Sequence, residues 1–386
     1  MTAETLSDSR SGSPDGARPP GRERFWFGVA TVARLELRQR VRSSRWVAVL
    51  IVWTAILALL TVLIRWAVFR SYTVDGTFGD TADATRMHAQ AGRMVFGIIV
   101  FLVLSLGALV VPALSSTSIN GDRTAGILAT LQTTLLTPLQ IVLGKLVASW
   151  AVALALLACA APFIVWAFLD GGTPVARLLV VLALLALVLL VICAIGLGWS
   201  AIAARTSSSA LLTYLSVIFL GLGLPLLFAL SIPLATSQEK VTVRQSEYTS
   251  DGSAPTCVSQ TQEMGVFHSE RSWWLLAASP YVVLADAAPK PLDGNTTDDP
   301  LTAIRSGVRE ARLGPDPVRD WCTGNGDPQA AYSEHERQRA IQRERLGITW
   351  PFGLAADLAL GTLFAGIAVR RLRAPARRLP RGTRVA

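Results

Sequence analysis

The sequence predicts an all-α polytopic membrane protein with six transmembrane helices, an N-terminal interfacial amphipathic helix and a large external segment between spans five and six. The 386 residues are 51% apolar and only 16% charged, whereas a soluble chain is about 25% charged. Several apolar runs approach the roughly 20 residues that a helix needs to cross a bilayer. One long polar stretch, residues 236–347, separates the last two of these runs, so we expect it to lie outside the membrane.

The chain begins with a segment that we expect to be disordered. Residues 1–24 consist mainly of Ser, Pro, Gly and charged residues, and such a composition cannot bury enough apolar surface to fold. We interpret this segment as a cytoplasmic tail.

Residues 25–45 predict an interfacial amphipathic helix, because apolar and basic side chains recur on separate faces at helical spacing. Such a helix lies in the plane of the membrane surface, with its cations at the anionic headgroups. The residues that we assign to this interface are Trp26, Arg34, Arg38 and Arg42. A soluble helix that packs on a partner is the alternative, and the adjoining apolar run favours the membrane surface.

Residues 46–235 contain the first five predicted spans, at residues 46–64, 94–114, 146–169, 178–203 and 210–235. The fifth span holds several glycines and prolines, which membrane helices tolerate where neighbours approach closely or the helix bends. The sixth span covers residues 348–369, and a basic cytoplasmic tail follows at residues 370–386.

The polar stretch 115–145 lies between the second and third spans and does not resemble a slack loop. Gly121–Arg123 indicates a turn, with Asp122 placed where it can cap a helix. Apolar residues then recur at helical spacing and predict a short amphipathic helix, namely Ile127, Leu128, Leu131 and Leu135. Thr137-Pro138 ends that helix, because proline lacks an N–H and restricts the residue before it. A partly apolar surface of this kind indicates a docking site, and an ordinary inter-span loop is the alternative.

The external segment divides into three predicted parts. Residues 273–284 include two apolar patches that are too short to span, which predicts an interfacial or re-entrant element. Residues 289–327 are rich in Pro, Gly and Asp and predict a loop. Residues 334–345 predict a charged helix that leads into the sixth span.

The distribution of arginine predicts the orientation. Five Arg lie within residues 34–45, before the first span, and seven follow the sixth span; the positive-inside rule places such segments in the cytoplasm. Both termini and the stretch 115–145 are therefore expected on the cytoplasmic side, with residues 236–347 outside. Cys257 and Cys322 of the external segment are candidates for a disulfide if it faces an oxidising side, and two free thiols are the alternative.

The sequence predicts no catalytic, cofactor-binding or metal site. It contains no G-x-x-x-x-G-K-[ST], H-E-x-x-H or G-x-S-x-G motif, and so offers no phosphate-binding loop, zinc-binding helix or nucleophile elbow. The net charge of +9 does not predict nucleic acid as a partner, because the arginines cluster at membrane edges without interleaved aromatic residues. We therefore expect a protein that is not an enzyme.

Asp357 is the acidic residue that the predicted spans place well inside the membrane. Ionisable residues at such positions are costly and commonly functional. One interpretation is a wet helix interface at which Asp357 pairs with a polar neighbour. The other is a position on a possible translocation path.

The stretch 115–145 resembles the loop between the second and third spans of type-2 ABC export permeases. In that family an acidic turn, a glycine, a short Leu-rich helix, a Thr-Pro pair and a Gly-Lys pair lead into the third span. The matching residues here are Gly121, Asp122, Arg123, Gly126, Leu128, Thr137, Pro138, Gly144 and Lys145. The sequence departs from the family in carrying Asp122 where Glu is usual and in a longer interval between Gly126 and Pro138.

The resemblance implies a permease subunit of an ATP-driven exporter in a bacterial plasma membrane. A separate ABC ATPase subunit would bind ATP and Mg, and a second permease copy or paralogue would complete the assembly among the membrane lipids. The residues that the resemblance assigns to ATPase coupling are Asp122, Arg123, Gly126, Leu128, Leu131, Thr137 and Pro138. Spans lined by aliphatic and aromatic residues suit an amphipathic or hydrophobic substrate.

Two other functions remain open from the sequence. The first is a membrane-anchored scaffold or binding protein that acts through its external segment. The second is an ion-coupled carrier or channel, which requires polar residues lining several spans. The third and fourth spans have almost none, and this favours the exporter over the carrier.

Overall fold

The computed structural model describes residues 21–42, 44–74, 81–126, 136–171, 174–247, 256–289, 299–316, 318–321 and 328–373. Within these ranges, six helices are long and apolar enough to cross a membrane. The prediction of an all-α polytopic membrane protein with six transmembrane helices is therefore confirmed.

The described residues of the first half of the chain form six helices, and the four that correspond to predicted spans are longer than those spans. The six helices are α1 (Gly21–Val41), α2 (Ser44–Val74), α3 (Thr81–Ser115), α4 (Ser118–Thr124), α5 (Pro138–Asp170) and α6 (Val175–Ile202). The first span was expected to end near residue 64, but α2 continues to Val74. Arg65 lies within this longer helix, where its guanidinium pairs with Asp170 and lies over the rings of Phe69 and Trp166, 4.5 and 5.0 Å from their centroids.

The fifth span consists of α7 (Thr206–Ile218) and α8 (Leu224–Ser231), joined by a π-helical turn at Phe219–Gly223. A π-turn inserts one residue into the helical ladder and is a recognised cause of bends. The sixth span is α13 (Trp350–Leu372).

Helix α6 lies at the centre of the bundle and packs against α3, α5, α7 and α13. Its residues from Val191 to Gly198 are all buried. A helix that is apolar on every side is expected to be enclosed by other helices. The end of the bundle at which α3 stops and α5 starts carries α4, and we call it the α4 end. The opposite end carries the described residues between 236 and 347, and we call it the sheet end.

The sheet end contains elements that the sequence analysis did not predict. A three-stranded sheet has the order β2-β1-β3, with strands β1 (Thr236–Glu247), β2 (Thr256–Phe267) and β3 (Val318–Trp321). Strands β1 and β2 are antiparallel, with Thr236 opposite Phe267, and β1 and β3 are parallel. Most side chains of β1 are polar, and among its residues 236–244 only Val241 and Val243 are buried, so the alternation that marks a strand was weak.

The helices of this segment are α9 (Trp273–Ala277), α10 (Pro280–Ala287), α11 (Pro300–Leu313) and α12 (Pro328–Arg345). The prediction of a loop over residues 289–327 was wrong for α11 and β3. Asp299 caps α11 by accepting a hydrogen bond from the Thr302 N–H at 3.3 Å, and Pro300 occupies the first turn. An Asp-Pro pair before apolar residues is a helix start signal. The loop was predicted instead because the segment as a whole is rich in Pro and Gly.

The apolar patches within residues 273–284 enter the bundle. The Tyr281 hydroxyl of α10 lies 3.2 Å from Ser105 Oγ, in the middle of the second predicted span. The other end of α10 lies at the membrane edge, where the Ala287 carbonyl accepts from Arg177 near the start of α6 at 3.5 Å. The α9–α10 pair therefore dips from the sheet end into the core.

Candidate functional site

Lys145 lies at the centre of the polar contacts at the α4 end. It is in the second turn of α5 and is only 1% exposed. Its Nζ donates to the Ser118 carbonyl at 3.0 Å, forms an ion pair with Asp122 at 2.5 Å, and pairs with Glu36. We call these four residues the Lys145 junction. Because a buried ammonium is tolerated only when it is paired and hydrogen-bonded, the junction fixes α1, α4 and α5 against one another.

The first turn of α5 is built by a capping box. The Thr137 N–H donates to Gln140 Oε1 at 2.7 Å, and the Gln140 N–H donates to Thr137 Oγ1 at 3.3 Å. Pro138 occupies the first helical position, where its missing N–H costs nothing. Thr137 and Pro138 therefore begin α5, which places Lys145 two turns further on. The predicted amphipathic helix, including Leu128 and Leu131, lies outside the described residues.

The structure corrects the prediction for Asp122. Gly121–Arg123 was expected to form a turn, with Asp122 as a helix cap, but all three residues lie inside α4. Ser200 of α6 satisfies the start of α4 instead, because its Oγ accepts from the backbone N–H groups of Ile119 and Asn120 at 3.0 and 3.1 Å. The Asp122 carboxylate turns to the buried Lys145 because an ion pair with an ammonium is stronger than a neutral cap.

Helix α4 has a buried base and an exposed tip. At the base, Ser209 at the start of the fifth span donates to the Ser116 carbonyl at 2.7 Å. At the tip, Arg123 is partly buried, whereas Thr124, Ala125 and Gly126 are exposed. Gly126 has φ of 72°, a conformation that favours glycine and commonly ends a helix. The base thus contacts three spans, and the tip is accessible to a partner.

Helix α1 packs on α5 through a glycine contact. A Cβ at Gly144 would lie 2.6 Å from Val32 Cβ, so only glycine allows this approach. Gln140 Nε2 also donates to the Phe25 carbonyl at 3.1 Å. Val29 and Ala33 belong to the apolar face of this helix, which was expected to lie on the membrane surface, but both are buried inside the protein. The predicted interface residues lie elsewhere on the helix: Trp26 is 55% exposed, and Arg34, Arg38 and Arg42 are exposed.

Asp357 lies in α13 and is not part of the Lys145 junction. It is 2% exposed, and its Oδ2 has no hydrogen-bond partner among the described residues. The interpretation in which Asp357 pairs with a polar neighbour is therefore not supported at Oδ2. Gly353 and Gly361 lie one turn before and after it on the buried face of α13, and Gly361 faces Val191 of α6.

A second buried charge cluster, which the sequence analysis missed, joins the sheet end to the sixth span. Asp286 of α10 is 2% exposed and accepts from the backbone N–H groups of Thr349 and Trp350 at 2.5 and 3.0 Å. It thereby caps α13 from another helix. Its other oxygen accepts from Arg309 Nε at 2.8 Å. The Glu344 carboxylate of α12 completes the cluster, 3.2 Å from Arg309.

The cysteines differ in state. Cys257 is disulfide-bonded, whereas Cys159 and Cys193 are free thiols. Cys322 lies outside the described residues, so the pairing of Cys257 with Cys322 stays a prediction. The part of the chain that the structure describes contains no group of three His, Cys, Asp or Glu residues that could hold a metal ion.

Among the charged residues of the Lys145 junction, Lys145 and Glu36 were given no role by the sequence analysis. Lys145 was visible as part of the Gly-Lys pair, and it is one of three lysines in a chain whose other cations are arginines. Glu36 had no comparable signal, because only the packing of α1 on α5 brings it to Lys145.

A comparison with curated proteins finds no match. The family model described as "ABC-2 family transporter protein" matches residues 30–267, which is more than half of the chain and includes α4 and the Lys145 junction. The chain therefore belongs to the ABC-2 transporter family and is a multi-pass membrane permease.

Proposed function

We propose that this chain is the membrane-spanning subunit of an ATP-driven exporter, and that α4 receives the motion of a separate ATPase subunit. The observation that carries the proposal is the Lys145 junction, which ties the exposed α4 helix to α1 and α5 through one buried ammonium. A push on the tip of α4 would reach α5 through Lys145 and α6 through Ser200. A surface loop without such contacts would move alone.

The proposed partners follow from the family and from what the sequence lacks. Members of the ABC-2 family typically work with an ABC ATPase, and this sequence has no phosphate-binding loop of its own. ATP and Mg would therefore bind to the partner subunit. A second permease copy or paralogue would provide the other half of the translocation path.

The proposed substrate is amphipathic or hydrophobic, and the proposed location is a bacterial plasma membrane. The apolar composition of the spans supports the substrate class. Arginine before the first span and after the sixth supports cytoplasmic termini, which puts α4 on the side where ATP is available.

The proposal predicts that variants of the Lys145 junction uncouple ATP hydrolysis from transport. Lys145→Met removes the charge with little change in volume and leaves Glu36 and Asp122 without their shared cation. We expect transport per ATP hydrolysed to fall on the order of tenfold, the usual size of a coupling between two sites. Asp122→Asn removes one ion pair and should have a smaller effect.

The measurement is copurification of the ATPase from native membranes, followed by transport and hydrolysis assays in reconstituted vesicles. Lys240→Met on β1 is the matched control, because Lys240 is exposed at the sheet end, and Lys145→Arg, which keeps the charge, should retain more coupling. Wild-type coupling in Lys145→Met would refute the proposal for α4. Failure to recover any ATPase would favour a scaffold that acts through the sheet end.

A further inference from the structure

The face of α1 that points away from α5 combines cations with large apolar side chains. Arg34, Arg38 and Arg42 are exposed and recur every fourth residue, so they share one side of the helix. Trp26 and Phe27 precede them and are 55% and 73% exposed. The three guanidinium groups form no ion pair with any residue in the described ranges. We call this surface the arginine face.

The position of α1 places this face at the membrane surface. Helix α1 ends at Val41, and the first span begins at Ser44, so the last turn of α1 lies at the depth of the lipid headgroups. Exposed Trp and Phe side chains beside arginines are typical of the boundary between headgroups and acyl chains. An acidic protein surface would match the charge but would leave these aromatic side chains unexplained.

The opposite side of the same helix carries Glu36, one residue of the Lys145 junction. Glu36 pairs with Lys145, and Lys145 holds Asp122 of α4. Gly144, the residue before Lys145, packs directly on Val32, which lies one turn before Glu36 in α1. A tilt or displacement of α1 on α5 therefore changes the distance from Glu36 to Lys145. The arginine face and α4 are thus linked by a continuous set of contacts.

We propose that anionic phospholipids bind the arginine face and thereby strengthen the Lys145 junction, so that the order of α4 depends on the charge of the membrane. The inference rests on the proposed function only for its consequence in transport. Two ligands of one protein that favour the same arrangement must each strengthen the other's binding. Anionic lipid should therefore favour the arrangement of α4 that accepts the ATPase.

The experiment measures amide hydrogen exchange of the full chain alone, in nanodiscs of phosphatidylcholine or of phosphatidylcholine mixed with phosphatidylglycerol. In the mixed lipid we expect exchange in α1 to slow by about fivefold for each arginine engaged. We also expect exchange in α4 to slow. Arg34→Gln, Arg38→Gln and Arg42→Gln together should abolish both effects.

The matched control replaces Arg370, Arg371 and Arg373 by Gln. These residues are exposed at the end of α13, at the same end of the bundle, and the change in net charge is identical. The control should leave the lipid response of α1 intact. Loss of that response in the control would show an effect of overall charge and overturn the proposal.

Glu36→Gln separates lipid binding from its transmission. In this variant α1 should still respond to phosphatidylglycerol, whereas α4 should no longer do so. An unchanged response of α4 would overturn the proposed link, and no response of α1 in the wild type would overturn the lipid site. Because no ATPase is present, these outcomes are independent of the proposed function. Lipid-insensitive exchange, combined with ATPase binding that is lost in the triple arginine variant, would assign the arginine face to the ATPase.

Discussion

At the scale of single residues, buried charges determine where helices of this permease meet. Lys145 and Asp286 are each nearly inaccessible, and each contacts elements that are far apart in the sequence. Their charged groups favour the folded structure only through the partners that they meet there. Breaking a buried pair by removing one partner is expensive because it leaves the other charge uncompensated.

The Asp286 cluster yields a prediction about stability. Asp286→Ala removes both the ion pair with Arg309 and the cap of α13, and we expect a loss of about 3–5 kcal/mol. Asp286→Asn keeps an oxygen for the N–H groups of Thr349 and Trp350, and Arg309 keeps Glu344 as a partner. We therefore expect a smaller loss of about 1–3 kcal/mol.

Thermal unfolding in detergent measures both variants. Glu263→Ala on the exposed face of β2 is the control and should stay within about 0.5 kcal/mol of the wild type. If Asp286→Ala behaved like this control, Asp286 would not be holding the sixth span.

At the scale of elements, small residues decide which helices approach closely. The α1–α5 contact depends on Gly144, whereas Gly366 of α13 has open space where a Cβ would lie. Both glycines lie inside helices, so replacing either one by alanine improves the intrinsic helix propensity by the same amount, about 1 kcal/mol. Any difference between them must come from packing.

We expect Gly144→Ala to displace α1, because the new methyl group would overlap Val32. Gly366→Ala should be neutral or slightly stabilising. Protease accessibility of α1 and thermal unfolding measure the two effects. Equal behaviour of the two variants would show that the close packing of α1 on α5 is not maintained in the membrane.

The base of the β1–β2 hairpin contains a histidine between two carboxylates. His268 Nδ1 lies 2.7 Å from Glu270 Oε1, and its Nε2 lies 2.8 Å from Glu239 Oε1. The pKa of His268 is raised above its ordinary value, mainly by its hydrogen bond to Glu270 and to a smaller extent by its hydrogen bond to Glu239. The pKa of Glu239 is lowered, mainly by the hydrogen bond that it accepts from Ser237 and to a smaller extent by the one from His268.

These shifts predict opposite pH dependences at the hairpin base. A raised histidine pKa stabilises the folded form fully below about pH 6.5, and that contribution disappears as pH rises through the raised value. The contribution of Glu239 disappears instead as pH falls through its lowered pKa. Protection of hairpin amides from hydrogen exchange should therefore decrease from mildly acid to mildly alkaline pH.

His268→Gln should remove the decrease, whereas His88→Gln in α3 should retain it. A pH-independent hairpin in the wild type would show that His268 is not protonated between its two carboxylates.

At the scale of the whole molecule, the α4 end and the sheet end have different chemistry. The α4 end gathers the Lys145 junction and the arginine face, and the sheet end gathers the disulfide-bonded Cys257, the three strands and the Asp286 cluster. A disulfide persists in an oxidising compartment, and arginine-rich flanks remain in the cytoplasm. The disulfide and the arginine distribution therefore predict the same orientation.

We expect alkaline phosphatase inserted after Glu247, at the end of β1, to be active, because that enzyme requires export. A fluorescent protein fused after residue 386 should fluoresce, which requires folding in the cytoplasm. Exchanging the two reporters between the positions is the control. Activity in the exchanged arrangement would reverse the predicted orientation.

The sequence by itself determined the fold class, the number and order of spans and the family, because these depend on local hydrophobicity and on one short motif. The bilayer requires about 20 consecutive apolar residues from each span, and that requirement can be recognised without knowing any contact. The position of the polar stretch 115–145 between two spans could be read in the same way.

Only the tertiary structure decided what the charged residues of that stretch contact. Asp122 had the spacing of a cap, but in the structure it pairs with a lysine that lies 23 positions later in the sequence. Glu36 and Asp286 acquired their roles in the same way, each from a helix that packs against it. Polar strands and buried ion pairs leave weak local signals, because their partners come from distant parts of the chain.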